Sequence, residues 1–255
     1  MSDKIKHECG IAMIRLLKPL EYYQEKYGSS LYGVQKLQLL MQKMRNRGQD
    51  GAGVATIKLN PKPGKRYISR RRSNSPQYLK EVFNGIYNYF QDLPPEKLSN
   101  PVWLKDNLPY IGELLMGHLR YGTHGKNTIE TCHPFLRQNN WISRNLVVAG
   151  NFNLTNVDEL FEELVTLGQY PKEKSDTVTV LEKIGHFLDD EVQRLHAWYK
   201  PEIFSTEELN QKIVENLDVQ RLLKRASKKF DGGYVMAGMI AVSYTHLTLP
   251  TICSV

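Results

Sequence analysis

Short apolar runs, each closed by polar or glycine-rich residues, constrain this chain more than any other feature. Gly10 to Leu16, Val54 to Leu59, Leu114 to Arg120, Leu146 to Ala149 and Gly233 to Ile240 are long enough for strands and too short to cross a bilayer. Between them apolar residues recur at helical spacing. Leu31, Val34, Leu37, Leu40, Met41 and Met44 form one stripe, and Tyr78 to Phe90 reads as a second helix. Val157, Leu160, Phe161 and Leu164 form a third, opened by a capping box of Asn156 with Glu159 and stopped at Gly168. Val180, Leu181, Ile184, Leu188, Val192 and Leu195 follow Ser175-Asp176, and a further helix is expected over Ile213 to Lys229. Strands alternating with helix pairs predict layered α and β structure. Residues 60–110 hold a basic strand-like piece and that second helix, carry breakers at Pro94-Pro95, Pro101 and Pro109, and read as a surface elaboration.

Composition narrows the function. At 255 residues, with 41% hydrophobic and 24% charged, the chain can bury a core without disulfide staples. Lys4 and Lys6 precede an apolar run, but Arg15 and Lys18-Pro19 cut it short, so neither a signal peptide nor a membrane partner is expected. Cysteine occurs only at 9, 132 and 253, with no Cys-x-x-Cys pair. A structural zinc site is therefore not expected, and a reducing cytoplasm fits best. The net charge of +7 gathers at Lys65-Arg66, Arg70-Arg71-Arg72, Lys224-Arg225 and Lys228-Lys229. Such clusters suit either a nucleic-acid face, whose binding would depend on salt, or solvated helix ends. No recognition motif surrounds them, so nucleic acid is not the expected partner. Cys132-His133 lacks further metal ligands and reads as core or loop, and Asp189-Asp190 reads as a solvated helix face.

Several stretches carry residues suited to chemistry. Glu8-Cys9-Gly10-Ile11 puts a thiol at the mouth of an apolar run, where a cysteine taken alone is more often a small buried hydrophobe than a nucleophile. Arg47-Gly48-Gln49-Asp50-Gly51-Ala52-Gly53 marks backbone that turns sharply or approaches something closely. Gly117-His118-Leu119-Arg120-Tyr121-Gly122-Thr123-His124-Gly125 and Gly150-Asn151-Phe152-Asn153-Leu154-Thr155-Asn156 end strands in polar residues. With Ser175-Asp176-Thr177, these stretches resemble in order and spacing the glutaminase domain of class II glutamine amidotransferases, over residues 9–240. The Gln49-Asp50-Gly51 portion is similar to the amidophosphoribosyltransferases, transferases that open purine biosynthesis. The Thr123-His124-Gly125 ending is shared with glucosamine-6-phosphate synthase, which stays as the alternative within the class.

The resemblance implies an α+β fold, the four-layer αββα sandwich of the N-terminal-nucleophile (Ntn) hydrolases, with two antiparallel sheets between helix layers. It implies that Cys9 is nucleophile and, through its free α-amino group, base. Residues 1–8 are then a propeptide that must be removed. Asn151 and the backbone N–H of Phe152 are implied as oxyanion donors, with Phe152 standing where most members have Gly and Gly150 where His is usual. Phe tolerates positive φ poorly, so the replacement leaves the local conformation at 152 open, with Gly150 as the residue that could supply the lost freedom. Arg120 is implied as the partner of the L-glutamine carboxylate, with Thr123 and His124 adding hydrogen bonds, and Asp176 as the partner of its ammonium. Arg47 and Gly48 would order the loop around Cys9. No metal or other cofactor is implied for this stretch; Mg2+ is expected only with a C-terminal phosphoribosyltransferase domain, which the full-length enzyme would carry as a homo-oligomer.

The last residues break the pattern. Ala241 to Val255 holds no charged residue, and Val242 to Thr251 resembles the translation of a transposase adaptor. We therefore expect 241–255 to be a non-native tail and the gene to be interrupted near codon 240.

Overall fold

The computed structural model describes residues 8–122, 127–200 and 205–241. The proposed propeptide, apart from Glu8, and the proposed tail beyond Ala241 lie outside the described residues, as do Thr123 and His124. The chain separates into two compact units, residues 1–134 and 135–255.

In the first unit the elements run β1 (Gly10–Arg15), α1 (Leu20–Tyr27), α2 (Tyr32–Lys43), β2 (Gly51–Ile57), β3 (Ile68–Ser73), α3 (Tyr78–Tyr87), α4 (Pro95–Leu98), α5 (Pro101–Asn107) and β4 (Leu114–Arg120). The strands form an antiparallel sheet in the order β1-β4-β2-β3. Leu37 and Met41 of α2 and Val82, Phe83 and Ile86 of α3 bury against Val54, Leu115 and Leu119 in one core. Each such side chain contributes about 1.5–3 kcal/mol by leaving water.

Residues 60–110 are not peripheral to this core. They supply β3, the outer strand of the sheet, and α3, whose apolar face the core needs. The basic strand-like piece expected in this segment is β3, although Arg70, Arg71 and Arg72 give it no alternation. All three are half-buried. Arg70 donates to the Pro134 carbonyl at 3.3 Å, and Arg72 donates to the carbonyls of Cys132 at 3.0 Å and Glu130 at 3.2 Å. Guanidinium groups spent on the chain's own carbonyls are poorly placed to track a phosphate backbone, which counts against the nucleic-acid alternative.

The second unit contains β5 (Phe135–Arg137), β6 (Leu146–Leu154), α6 (Val157–Thr166), α7 (Asp176–Tyr199), α8 (Thr206–Glu215), α9 (Val219–Ala226) and β7 (Gly232–Ile240). Its antiparallel sheet has the order β5-β6-β7, so β7 is an outer strand. Val180, Leu181, Ile184, Leu188, Val192 and Leu195 of α7 bury against Leu146 and Val148 of β6. Both units thus show helices packed on an antiparallel sheet, the α+β class that the sequence predicts.

Four local expectations need correction. Asn156 does not cap α6 with its side chain; its amide donates to the Lys229 carbonyl at 2.8 Å and its oxygen accepts from Asp231 N at 3.3 Å. The helix expected over 213–229 is two helices, because Asp218 caps α9 by accepting from Arg221 N at 2.8 Å. Asp189 is no solvated acid. It takes both terminal nitrogens of Arg137, at 3.2 and 2.7 Å, while Glu182 takes Nε at 3.0 Å. Asp190 faces Arg225 at 3.2 Å, which draws part of the basic cluster into an ion pair. No described helix is long and apolar enough to cross a membrane.

Candidate active site

In the first unit β1 begins one residue after Cys9 and pairs Gly10 with Leu119 of β4. That register brings the Cys9 thiol to the end of β4. Sγ lies 3.5 Å from the donating amide of Tyr121 and 3.8 Å from its carbonyl. Burial, the largest influence, pushes the Cys9 thiol above its ordinary value, against the Tyr121 backbone and the Arg120 guanidinium, which both favour the thiolate. Desolvation wins, so the thiol stays protonated near neutral pH and needs a base to react.

Arg120 ends β4, is 8% exposed and donates from Nη1 to Asn127 Oδ1 at 3.1 Å. The loop before β2 is sewn to this strand end. Asp50 N donates to the Arg120 carbonyl at 2.9 Å, and Gly122 N donates to Asp50 Oδ2 at 2.7 Å. Gly48 lies so close that a Cβ there would meet the Leu119 carbonyl oxygen at 2.5 Å and the Arg120 carbonyl carbon at 2.8 Å. The glycine is therefore a steric requirement. Arg47 is exposed, with its Cβ beside Gly10. The first unit thus brings Cys9, Arg47, Gly48 and Arg120 together at one end of its sheet.

Asn151, Phe152 and Asp176 all lie in the second unit. β6 does not stop at Ala149 but runs on to Leu154, with Asn151 paired to Val235 and Phe152 to Tyr234 of β7. Asn151 is exposed and Phe152 half-buried. Asp176 opens α7 behind its N-cap Ser175, and its Oδ2 accepts from Leu154 N at 3.0 Å. The carboxylate is thereby tied to the strand that carries the two implied oxyanion donors.

The conformation at Phe152, left open by the sequence, is ordinary strand. Its φ is negative, as strand pairing requires, and Gly150 has no positive φ either. Gly150 serves space instead, because a Cβ there would meet the Phe152 ring at 2.5 Å and the Val235 carbonyl oxygen at 2.7 Å.

Sequence reasoning missed Tyr121, Asp50 as a tether, and Asn127. Asp50 stood inside a quoted motif and carried a signal; Tyr121 acts through its backbone, which leaves none in residue type. Among the described residues no group of three or more His, Cys, Asp and Glu is arranged to hold a metal. Cys132 and His133 are buried, with the His133 ring stacked on that of His118 at 4.4 Å between centroids.

Sequence comparison gives the same class as the motifs. No family model matches the chain. It is 26% identical to the amidophosphoribosyltransferase of Archaeoglobus fulgidus over 72% of this chain and 32% of that one. It is 29% identical to the Methanocaldococcus jannaschii amidophosphoribosyltransferase over 68% of this chain and 28% of the relative. A glutamine–fructose-6-phosphate aminotransferase of Bradyrhizobium diazoefficiens is 29% identical over 60% and 19%. The solved glutamine phosphoribosylpyrophosphate amidotransferase of B. subtilis, in complex with ADP and GMP, overlays with 21% identity and a TM-score of 0.44 over 82% of this chain and 33% of that one. At that score the overlay adds nothing to the sequence likeness.

The chain is a homologue of the class II glutamine amidotransferases. Within that class it resembles the glutaminase domain of the amidophosphoribosyltransferases, which it matches over a larger share of its length than the aminotransferase. It spans about a third or less of the length of these relatives.

Proposed function

We propose that this chain is the glutaminase portion of an amidophosphoribosyltransferase, releasing ammonia from L-glutamine for phosphoribosylamine formation in purine biosynthesis. The observation that supports it most is the seating of the Cys9 thiol against Tyr121, beside Arg120, at the head of β1. A protonated, half-buried thiol next to a cation is a nucleophile waiting for a base.

Once residues 1–8 are gone, the Cys9 α-amino group, with an ordinary pKa of about 7.7–8.0, takes the thiol proton. Sγ then attacks the side-chain amide carbon of glutamine. The oxyanion that forms is held by the Asn151 side chain and the Phe152 N–H, donors that act best when fixed beforehand. The α-ammonium returns its proton to the amide nitrogen, ammonia leaves and a thioester remains. Water, deprotonated by the same amine, cleaves the thioester to glutamate and restores the thiol. Arg120, with Thr123 and His124, holds the substrate carboxylate, Asp176 holds its ammonium, and Arg47 with Gly48 orders the loop beside Cys9. The ammonia passes to a C-terminal phosphoribosyltransferase domain, where any Mg2+ would belong; no step here uses a metal.

The test is ammonia release from glutamine by chain cleaved to begin at Cys9. Activity is expected after cleavage, and none with the leader attached or in Cys9→Ala. A folded, cleaved chain that leaves glutamine intact would refute the proposal, and so would active protein whose intact mass still includes Met1 or Ser2.

A further inference from the structure

We propose that Tyr78, at the start of α3 and outside every motif, is a positioning residue of the glutaminase site: it holds the Arg47-Gly48 loop against the strand end that carries Arg120 and Tyr121. The proposal rests on the glutaminase reading for its kinetic part and on geometry alone for its structural part.

The Tyr78 hydroxyl donates to the Gly48 carbonyl at 3.1 Å. Gly48 lies close against β4, where even a Cβ would meet the Leu119 oxygen at 2.5 Å and the Arg120 carbonyl carbon at 2.8 Å. The loop therefore lies between a wall and a tether. Beyond it, Asp50 bonds both the Arg120 carbonyl and the Gly122 amide. A shift at Gly48 is thus passed within two residues to the segment 120–122. That segment carries the Arg120 guanidinium and the Tyr121 amide that touches Cys9 Sγ.

Tyr78 is itself well anchored. Val82, Phe83 and Ile86 fix α3 in the core, so the hydroxyl sits on a rigid helix. Burial keeps the phenol above its ordinary value, so it remains a donor throughout the working pH range. The tether comes from residues 60–110, the stretch whose sequence carries no sign of the site.

Tyr78→Phe keeps the ring and removes the donor. In the full chain, amide exchange over residues 47–50 is expected to quicken about 5-fold, the effect of one ordinary hydrogen bond, with the unfolding midpoint nearly unchanged. In chain cleaved to Cys9, the glutamine KM is expected to rise by a similar factor while kcat stays within about 2-fold. A merely structural tyrosine would lower the unfolding midpoint without this KM-selective change. Unchanged exchange over 47–50 in Tyr78→Phe overturns the inference whatever the activity. Quickened exchange with an unchanged KM overturns the positioning role, and a cleaved parent without activity overturns the reading on which that role rests.

Discussion

Gly48→Ala tests the close approach on which the site is built. The new methyl would meet the Leu119 oxygen at 2.5 Å, the Leu119 carbonyl carbon at 2.6 Å and the Arg120 carbonyl carbon at 2.8 Å. These are backbone atoms inside a strand paired on both sides, to β1 and β2, so none can step aside as a flexible side chain would. The loop must move instead, giving up the Asp50 bonds to Arg120 and Gly122. Overpacking of this kind costs about 1–3 kcal/mol, and fixed backbone puts Gly48 at the upper end, about 3 kcal/mol. With a urea dependence of about 3 kcal/mol per molar, the unfolding midpoint of the first unit should fall by about 1 M. The control is Gly233→Ala, where the Cβ meets nothing within 4 Å and φ lies outside the positive range; its midpoint should stay within about 0.2 M of the parent. Circular dichroism through the transition measures both. A Gly48→Ala chain as stable as the Gly233→Ala chain would refute the argument.

Arg137→Ala removes a fork shared by Asp189 and Glu182 and leaves two half-buried carboxylates without it; we expect a loss of about 2 kcal/mol from the second unit by urea unfolding, with Arg137→Lys recovering only part. His133 gives a pH signature. Burial, chiefly, and then His118, Arg120 and Arg72 hold its imidazole well below the ordinary value of 6.5. Its neutral form is fully present in both states above that value, and below it the unfolded chain binds the proton first. Stability should therefore decline as pH falls through about 6.5, continuing toward the folded value, and His133→Gln should flatten that slope in unfolding curves taken from pH 7.5 to 5. An unchanged slope would mean that another group carries the acid sensitivity.

What the sequence revealed depended on the range of the interaction. β4 was read with both boundaries, Leu114 and Arg120, because an apolar run between breakers is local information. The α2 and α7 stripes were legible for the same reason. β3 was legible only as a basic strand-like piece without bounds, because its arginines find their partners in carbonyls roughly 60 residues away. Asn156 carried a genuine capping signature and was claimed by Lys229 and Asp231, more than 70 residues on. The break between α8 and α9 was readable in principle, since Asp218 is a capping residue type, but a helical stripe on both sides masked it. Cys9, Arg120 and Asp176 were singled out by type and order; the structure puts the first two at one strand end of the first unit and Asp176 at the head of α7 in the second. The contact that seats Cys9 joins it to a backbone 112 residues away, and only the register of β1 on β4 creates it.

The outer strand β7 has a practical consequence. Gly232 to Ile240 contains no charge and no proline, Val235 is 48% exposed, and among the described residues only β6 pairs with it. Soluble proteins usually guard such an edge with lysine, proline or a bulge. Concentrated stocks of this chain are therefore most vulnerable to sticking at β7. A lysine at Val235, on an exposed position facing away from the α7 core, is the change to make first when material precipitates on storage.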